Sequence, residues 1–273
     1  MPRSFKITKE QFKSIRDTVH CQRFIREFMI DIVLGDFRDV HFYRALELGY
    51  DNREASKHLA YYCKKLIAME YNENLLTKQS EDKVTFIVGD AQDLSRFGDG
   101  EMNLIFSGSL IEHLPEPDKC LAECSRAVNR GGLIVHTVPN LTWKIFNMLL
   151  YYPFGIKTVL RGIFLKNKSQ WTGGPRAGKP NLDSNLQPVG KRLSLKNLFP
   201  KTHGISGSHL CVFRRWGQKQ WIKMFDKNSL EVIEKVRLPF YFRWGYNLRL
   251  LLRLGNSLDL SSCTTYVLKK AEK

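Results

Sequence analysis

The chain has 273 residues, 43% of them hydrophobic, with 43 Lys+Arg against 27 Asp+Glu and a formal net charge of +16. This excludes wholesale disorder and suits one packed domain with an insertion, while six cysteines without a CxxC pair exclude a disulfide scaffold and a zinc ribbon. The longest uncharged apolar run, 145–156, is 12 residues and holds Pro153 and Gly155, short of the about 20 that span a bilayer.

Apolar spacing predicts a helix over 6–34, with Phe12, Ile15, Val19, Phe24, Phe28 and Ile32 near one face. A short apolar run at 42–48 predicts a first strand that stops at Gly49. A helix over 53–64, a strand over 66–69 ending in Glu70, and a helix over 72–80 follow. The run at 84–88, closed by Gly89 and Asp90, predicts a third strand, and 104–106 a fourth. An amphipathic helix is expected over 117–129, stopped by Gly131 and Gly132. A fifth strand over 133–138 ends at Pro139. Short apolar runs alternating with helices predict a parallel sheet with right-handed crossovers, and their continuity predicts helices on both faces.

After Pro139 the alternation stops. Residues 141–165 read as two amphipathic helices broken at 153–155, and 167–191, rich in Gly and Pro, as a flexible loop. A helix over 216–228 and strands over 230–238 and 263–268 complete the pattern. The charge is divided in the same way. Residues 1–140 hold 19 basic and 21 acidic side chains, and 141–273 hold 24 and 6. The domain reading is therefore 1–140 for an N-terminal helix and α/β core, 141–215 for a basic cap, and 216–273 for the elements that finish the sheet. The one-sided charge points to a polyanionic partner: a membrane surface, a phosphorylated substrate or a nucleic acid. Aromatics such as Trp143, Phe146, Tyr151 and Trp171, set among Lys144, Lys157, Arg161, Lys166 and Lys168, suit a membrane interface or single-stranded nucleic acid. The aliphatic content of the same stretches favours the former.

In a doubly wound sheet, ligands sit at the carboxyl ends of the strands. Glu47 and Gly49 end the first strand there, and Gly49 permits a tight turn with close backbone approach. Glu70 ends the second, 21 residues on, where a carboxylate can accept both hydroxyls of a ribose. Asp90, at the end of the third, can accept from an exocyclic amine. Residues 108–113 follow the fourth, where a substrate would meet a cofactor. A full GxGxxG is missing, which argues against a nicotinamide cofactor.

The stretches AlaLeuGluLeuGly (45–49), IleAlaMetGlu (67–70), PheIleValGlyAspAlaGlnAspLeu (86–94), 101–114 and 120–140 together resemble the class I S-adenosylmethionine-dependent methyltransferases, closest to the type 11 group. The resemblance covers about 100 residues in order. It implies a Rossmann-like α/β fold: a doubly wound, mostly parallel seven-stranded sheet with an N-terminal helix and an inserted helical and loop cap. It also implies S-adenosyl-L-methionine as cofactor, held by Glu47, Gly49 and Asp51 in the first loop, Glu70 at the ribose, Asp90, Ala91 and Gln92 at the adenine, and Ser107 near the methionine moiety. In the first loop Asp51 and Arg53 stand where the family has glycines. Glu112 and His113 are the expected catalytic pair. His136, His203 and His209 are the other histidines considered as a base, with His136 assigned to strand packing. The Glu112–His113 pair is similar to one that holds a divalent metal in some quinone-type O-methyltransferases. Ser109 replaces the further acid those enzymes carry, so no metal is expected.

The expected activity is methyl transfer, chiefly to oxygen, on a small-molecule, glycan or lipid-linked anionic acceptor. The competing readings are a degenerate, non-catalytic version of the fold and a nucleic-acid methyltransferase. The opening segment lacks the apolar core of a secretory signal. A cytoplasmic location with peripheral contact to anionic membrane is expected.

Overall fold

A computed structural model describes residues 3–4, 8, 18–37, 42–50, 53–75, 82–149, 217–240 and 249–272. Two compact units are distinguished. The first comprises Met1–Lys144 and Thr202–Lys273, and the second is Ile145–Lys201. Of the second unit, residues 145–149 are described, and they are helical. The rest of this section concerns the first unit.

In chain order the elements are β1 (Arg3–Ser4), α1 (Thr18–Leu34), β2 (Phe42–Leu48), α2 (Arg53–Leu59) and β3 (Cys63–Glu70). They continue as β4 (Val84–Val88), β5 (Met102–Gly108), α3 (Pro117–Ala127) and β6 (Val128–Pro139). Residues 141–149 form a helix, followed further on by α4 (Gln218–Lys227), β7 (Leu230–Pro239), α5 (Arg249–Ser257) and β8 (Ser261–Lys270). The sheet order is β1-β7-β8-β6-β5-β2-β3-β4. β2 pairs in parallel with β3 and β5, β3 with β4, and β5 with β6. β8 is antiparallel to both its neighbours, β6 and β7. Seven long strands thus give the expected doubly wound, mostly parallel sheet, and the two-residue β1 lengthens it at the β7 edge.

Alternation along each strand divides the core into two layers, as a sheet covered on both faces requires. Leu104 and Phe106 of β5 pack with Met29, Ile30, Val33 and Leu34 of α1 and Leu59 of α2. Met102 and Ile105 face the other side, against Cys120, Leu121 and Cys124 of α3 and Trp221 and Phe225 of α4. The three- and four-residue spacings on α3 and α4 are those that line one helical face. Burying a side chain such as Phe225, fully enclosed here, contributes about 1.5–3 kcal/mol.

Several boundaries differ from the sequence reading, and the helix Arg249–Ser257 was not foreseen. α3 ends at Ala127, and Gly131 and Gly132 lie inside β6 rather than stopping the helix. The reason is tertiary. Val128 is buried and pairs with Met102, and the Arg126 carbonyl accepts from the Gly100 amide at 2.9 Å. The helix predicted over 53–64 ends at Leu59, continues as a 3-10 turn over Ala60–Tyr62, and yields Cys63 to β3. The helix predicted over 72–80 is a single 3-10 turn, Glu73–Leu75, within the described residues. The first helix is described from Thr18, and the expectations for 150–216, including the loop at 167–191, lie outside the described residues.

Candidate active site

The strand tips of β2, β3, β4 and β5 meet because their registers match. Leu48 lies opposite both Met69 and Ser107, and Glu70 opposite Val88. Backbone bonds stitch the turns that follow: Gly49 donates to the Met69 carbonyl at 2.8 Å, and Gly89 to that of Glu70 at 3.1 Å. Gly49 has φ +70°, in the left-handed region, and a Cβ there would meet Leu110 Cδ1 at 2.9 Å. The positive φ favours glycine here, and the space a Cβ would take is filled by Leu110. Glu47 is buried at the end of β2. Asp51 lies outside the described residues. Arg53 opens α2 with its guanidinium over the Phe86 ring, 4.8 Å from the centroid.

Glu70 accepts from the Asn72 amide through Oε1 at 3.1 Å. Tyr50 packs edge-on to Phe86 at 5.0 Å, and its hydroxyl reaches the Leu75 carbonyl at 3.3 Å. Burial, then the Glu70 charge, hold the Tyr50 hydroxyl above its ordinary pKa. Asp90 accepts through Oδ1 from the Gln92 amide at 2.9 Å and from its side-chain Nε2 at 3.2 Å. Gln92 Oε1 then accepts from the Glu116 amide at 2.7 Å, joining the loop after β4 to the start of α3. Ala91 is buried beneath this turn. Glu47, Gly49, Glu70, Asp90, Ala91 and Gln92 therefore line adjacent turns at one edge of the sheet. An acidic side chain at each of three successive strand tips, beside a glycine turn, is a set of acceptors of the kind that hydroxyls, an exocyclic amine and an ammonium group would donate to.

Ser107 is also on these tips, but its side chain is fully buried. Its Oγ lies 2.6 Å from His136 Nδ1, its register partner on β6. His136 is fully buried and stacks on Phe225 at 6.4 Å, and burial pushes its pKa down to about 3. It is neutral at any working pH. The sequence reading assigned His136 to packing and missed the bond to Ser107. The signal was available, because paired strands place Ser107 and His136 side by side on one face.

Glu112 and His113 stand in the 3-10 turn Ile111–His113, which follows β5. Ser109 enters this turn with φ 57° and donates its amide to the Thr137 carbonyl at 2.8 Å. The Glu112 carboxyl is enclosed, and neither oxygen has a hydrogen-bond partner among the described residues. Desolvation pushes its pKa up to about 8, against smaller downward pulls from its own backbone amide and then from Arg26. His113 Nε2 lies 3.7 Å from Glu112 Oε1, and the His113 side chain is 40% exposed. Burial of part of the ring lowers its pKa. Arg26, on α1, was not foreseen: a Cβ on Gly108 would meet its Nη1 at 3.0 Å. His203 and His209 lie outside the described residues. No group of three or more His, Cys, Asp or Glu among the described residues converges as a metal site.

Residues 46–136 match a family model described as a methyltransferase domain. No curated protein matches the sequence. Among solved structures, an S-adenosylmethionine-dependent methyltransferase from Mesorhizobium loti is similar, with a TM-score of 0.51 and 11% identity over 90% of this chain and 97% of that one. A candidate S-adenosylmethionine-dependent methyltransferase from Listeria monocytogenes gives 0.52 and 10% over 92% and 99%. A candidate sarcosine dimethylglycine methyltransferase from Galdieria sulphuraria gives 0.52 and 12% over 97% and 92%. At these identities the likeness is one of fold.

Proposed function

We propose that the chain is an S-adenosylmethionine-dependent methyltransferase of the class I, type 11-like kind, a reading supported by the methyltransferase-domain match over residues 46–136, and that it methylates an oxygen of an anionic small-molecule, glycan or lipid-linked acceptor. The observation that carries this reading is the state of the pair after β5. His113 is accessible and its pKa is lowered, so it is a neutral imidazole at pH 7, the form that can take a proton from a hydroxyl. Glu112 is enclosed and holds its own proton at that pH. In this reading Glu112 is no base. Its neutral carboxyl, 3.7 Å from His113 Nε2, keeps its proton and sets a dipole, with no second charge, beside the imidazole that takes the substrate's proton.

S-adenosylmethionine supplies an activated sulfonium methyl. The remaining work falls to this chain. Glu70 takes the ribose hydroxyls, and Asp90 with Ala91 and Gln92 takes the adenine. Glu47, Gly49 and Asp51 take the amino-acid tail, and Ser107, locked by His136, shapes the wall beside it. Holding nucleophile and methyl in line supplies much of the rate, since proximity alone can be worth about 7–11 kcal/mol. The acceptor's negative charge is inferred from the 24 basic and 6 acidic residues of 141–273. We further propose that 141–215 is the cap that meets this acceptor.

Calorimetry with S-adenosylmethionine and S-adenosylhomocysteine tests the cofactor half of this reading, and no binding at millimolar ligand overturns it. The acceptor half is tested by transfer of labelled methyl to a panel of anionic hydroxyl compounds and their carboxyl- or phosphate-free analogues. Equal turnover of charged and uncharged members removes the anionic preference. His113→Gln should lower turnover by about 10²–10⁴ with cofactor affinity unchanged.

A further inference from the structure

The sheet face that carries α1 and α2 has a cleft remote from the strand tips. α2 begins at the first loop and runs back to the 3-10 turn Ala60–Tyr62, which hands the chain to the first residue of β3. Its last turn therefore lies toward the amino ends of the parallel strands. A cleft of about 270 Å³ opens there, lined by Asp31 of α1 and by His58, Tyr61 and Tyr62.

The chemistry of this cleft is specific. Tyr62 donates its hydroxyl to Asp31 Oδ1 at 2.6 Å, and His58 Nε2 lies 2.8 Å from the same oxygen. Oδ2 takes no donor among the described residues, and no Lys or Arg among them is paired with Asp31. The carboxylate is 40% exposed. Around it the His58 ring meets Tyr61 edge-on at 5.8 Å and Tyr62 at 6.5 Å. Tyr61 is 71% exposed, so its ring rests on no core.

We propose that this cleft binds a compact organic cation of the ammonium type, through Asp31 Oδ2 and the exposed ring of Tyr61, with the buried Tyr62 serving only to hold Asp31. An anion would meet the Asp31 charge, and an apolar ligand would cover Oδ2 without giving it a donor. An ammonium group satisfies both the carboxylate and the quadrupole of the exposed Tyr61 ring. A purely structural role, tying α1 to α2, accounts for Tyr62 and His58. It leaves the open Oδ2 and the exposed Tyr61 ring unexplained. The site is independent of the methyl-transfer reading.

Titrating the full chain with choline and with 3,3-dimethyl-1-butanol, its uncharged isostere, tests the proposal by calorimetry and by amide chemical shifts. Choline should saturate with a Kd of about 1–10 mM, shifting residues 58–62. The isostere should bind at least about tenfold more weakly. Tyr61→Ala should weaken choline about three- to tenfold, and Tyr61→Phe should restore it. The exposed ring can be removed without unfolding the chain, so an unchanged melting temperature is expected. Asp31→Asn gives a second arm at the carboxylate. Nα-acetyl-lysine amide, run in parallel, distinguishes a lysine side chain of a partner from a free ammonium compound, and tighter binding of either supports the site. The proposal is overturned by equal affinity for the isostere, by indifference to Tyr61→Ala, or by no saturation at about 50 mM choline. In Glu70→Ala protein, choline should still bind, which separates failure here from failure at the cofactor site.

Discussion

Single residues set the pH range of this fold. Glu112 has its pKa raised to about 8 by burial, whereas an unfolded Glu titrates near 4.3. Between those values the unfolded chain releases a proton that the folded chain keeps. Stability therefore falls as pH rises, by about 1.4 kcal/mol per unit, and levels off above the folded pKa. His136 acts in the opposite sense. Its pKa is pushed down to about 3, so the unfolded chain binds the extra proton below about 6.5, and stability is lost as pH falls toward 3. The two windows leave maximal stability near pH 4.5–6.5. Glu112→Gln should flatten the alkaline limb, gaining on the order of 4 kcal/mol over wild type at pH 8–9 and almost nothing at pH 4. Urea denaturation across pH reads this directly, and an unchanged alkaline limb would show that the carboxyl is not enclosed. Neither effect was legible in the sequence. Glu112 and His136 were noticed as residue types, but desolvation depends on what covers them, here the β5 turn and α4. The place of Glu70 at a strand tip was legible, because an apolar run ends on it, and the proposed ribose contact makes a prediction there. Glu70→Ala should remove two charge-assisted hydrogen bonds, each worth roughly 1.5–3 kcal/mol. Cofactor affinity should then fall about a hundredfold or more in calorimetry, with the fold intact.

At the scale of elements, the crossing from α3 into β6 shows where pattern reading stops. Two adjacent glycines after an amphipathic helix are a stop signal in sequence. In the structure they lie beyond the stop and serve the strand instead. β6 pairs Val128 with Met102 and then Leu133 with Leu104, so its first residues bulge. A Cβ on Gly132 would meet Val128 Cγ2 at 2.7 Å and the Asn103 carbonyl at 2.8 Å, while at Gly131 nothing lies within 4 Å. The two positions should therefore respond differently to one methyl group. Gly132→Ala should cost about 1–3 kcal/mol, because the clash includes backbone that cannot yield cheaply. Gly131→Ala should fall within about 0.5 kcal/mol of wild type. Equal effects in thermal denaturation would show that the bulge is not tightly held. β2 and β4, by contrast, match their predicted limits at 42–48 and 84–88. Each is a short, mostly apolar run between turn residues, which no long-range contact needs to redefine.

For the whole molecule, the division of charge is as informative as the fold. The acidic side chains at the strand tips, Glu47, Glu70 and Asp90, belong to the half that holds 21 of the 27 carboxylates. The other half carries 24 Lys+Arg against 6 Asp+Glu. A chain built this way can hold a cationic cofactor in one half and attract an anionic surface with the other, so the two functions separate in a titration. No helix among the described residues is long and apolar enough to cross a membrane. Ile145 and Leu149, one helical turn apart, are 44% and 64% exposed while the preceding Lys144 is buried, and the sequence follows this apolar exposure with Lys157, Arg161, Lys166 and Lys168, a combination that suits an interfacial segment. Sedimentation with vesicles should therefore show reversible binding to anionic and not to zwitterionic lipid. Binding should fade between about 50 and 500 mM salt, as the Debye length shrinks below about 8 Å. Replacing Lys157, Arg161, Lys166 and Lys168 by Gln should weaken it by about 1 kcal/mol per charge near the surface. Cofactor affinity in the same protein should be unchanged, because the strand-tip carboxylates are untouched. If the wild-type chain ignores anionic vesicles at low salt, the basic half serves a soluble anion instead, and the charged acceptors of the methyl-transfer panel become the place to find it.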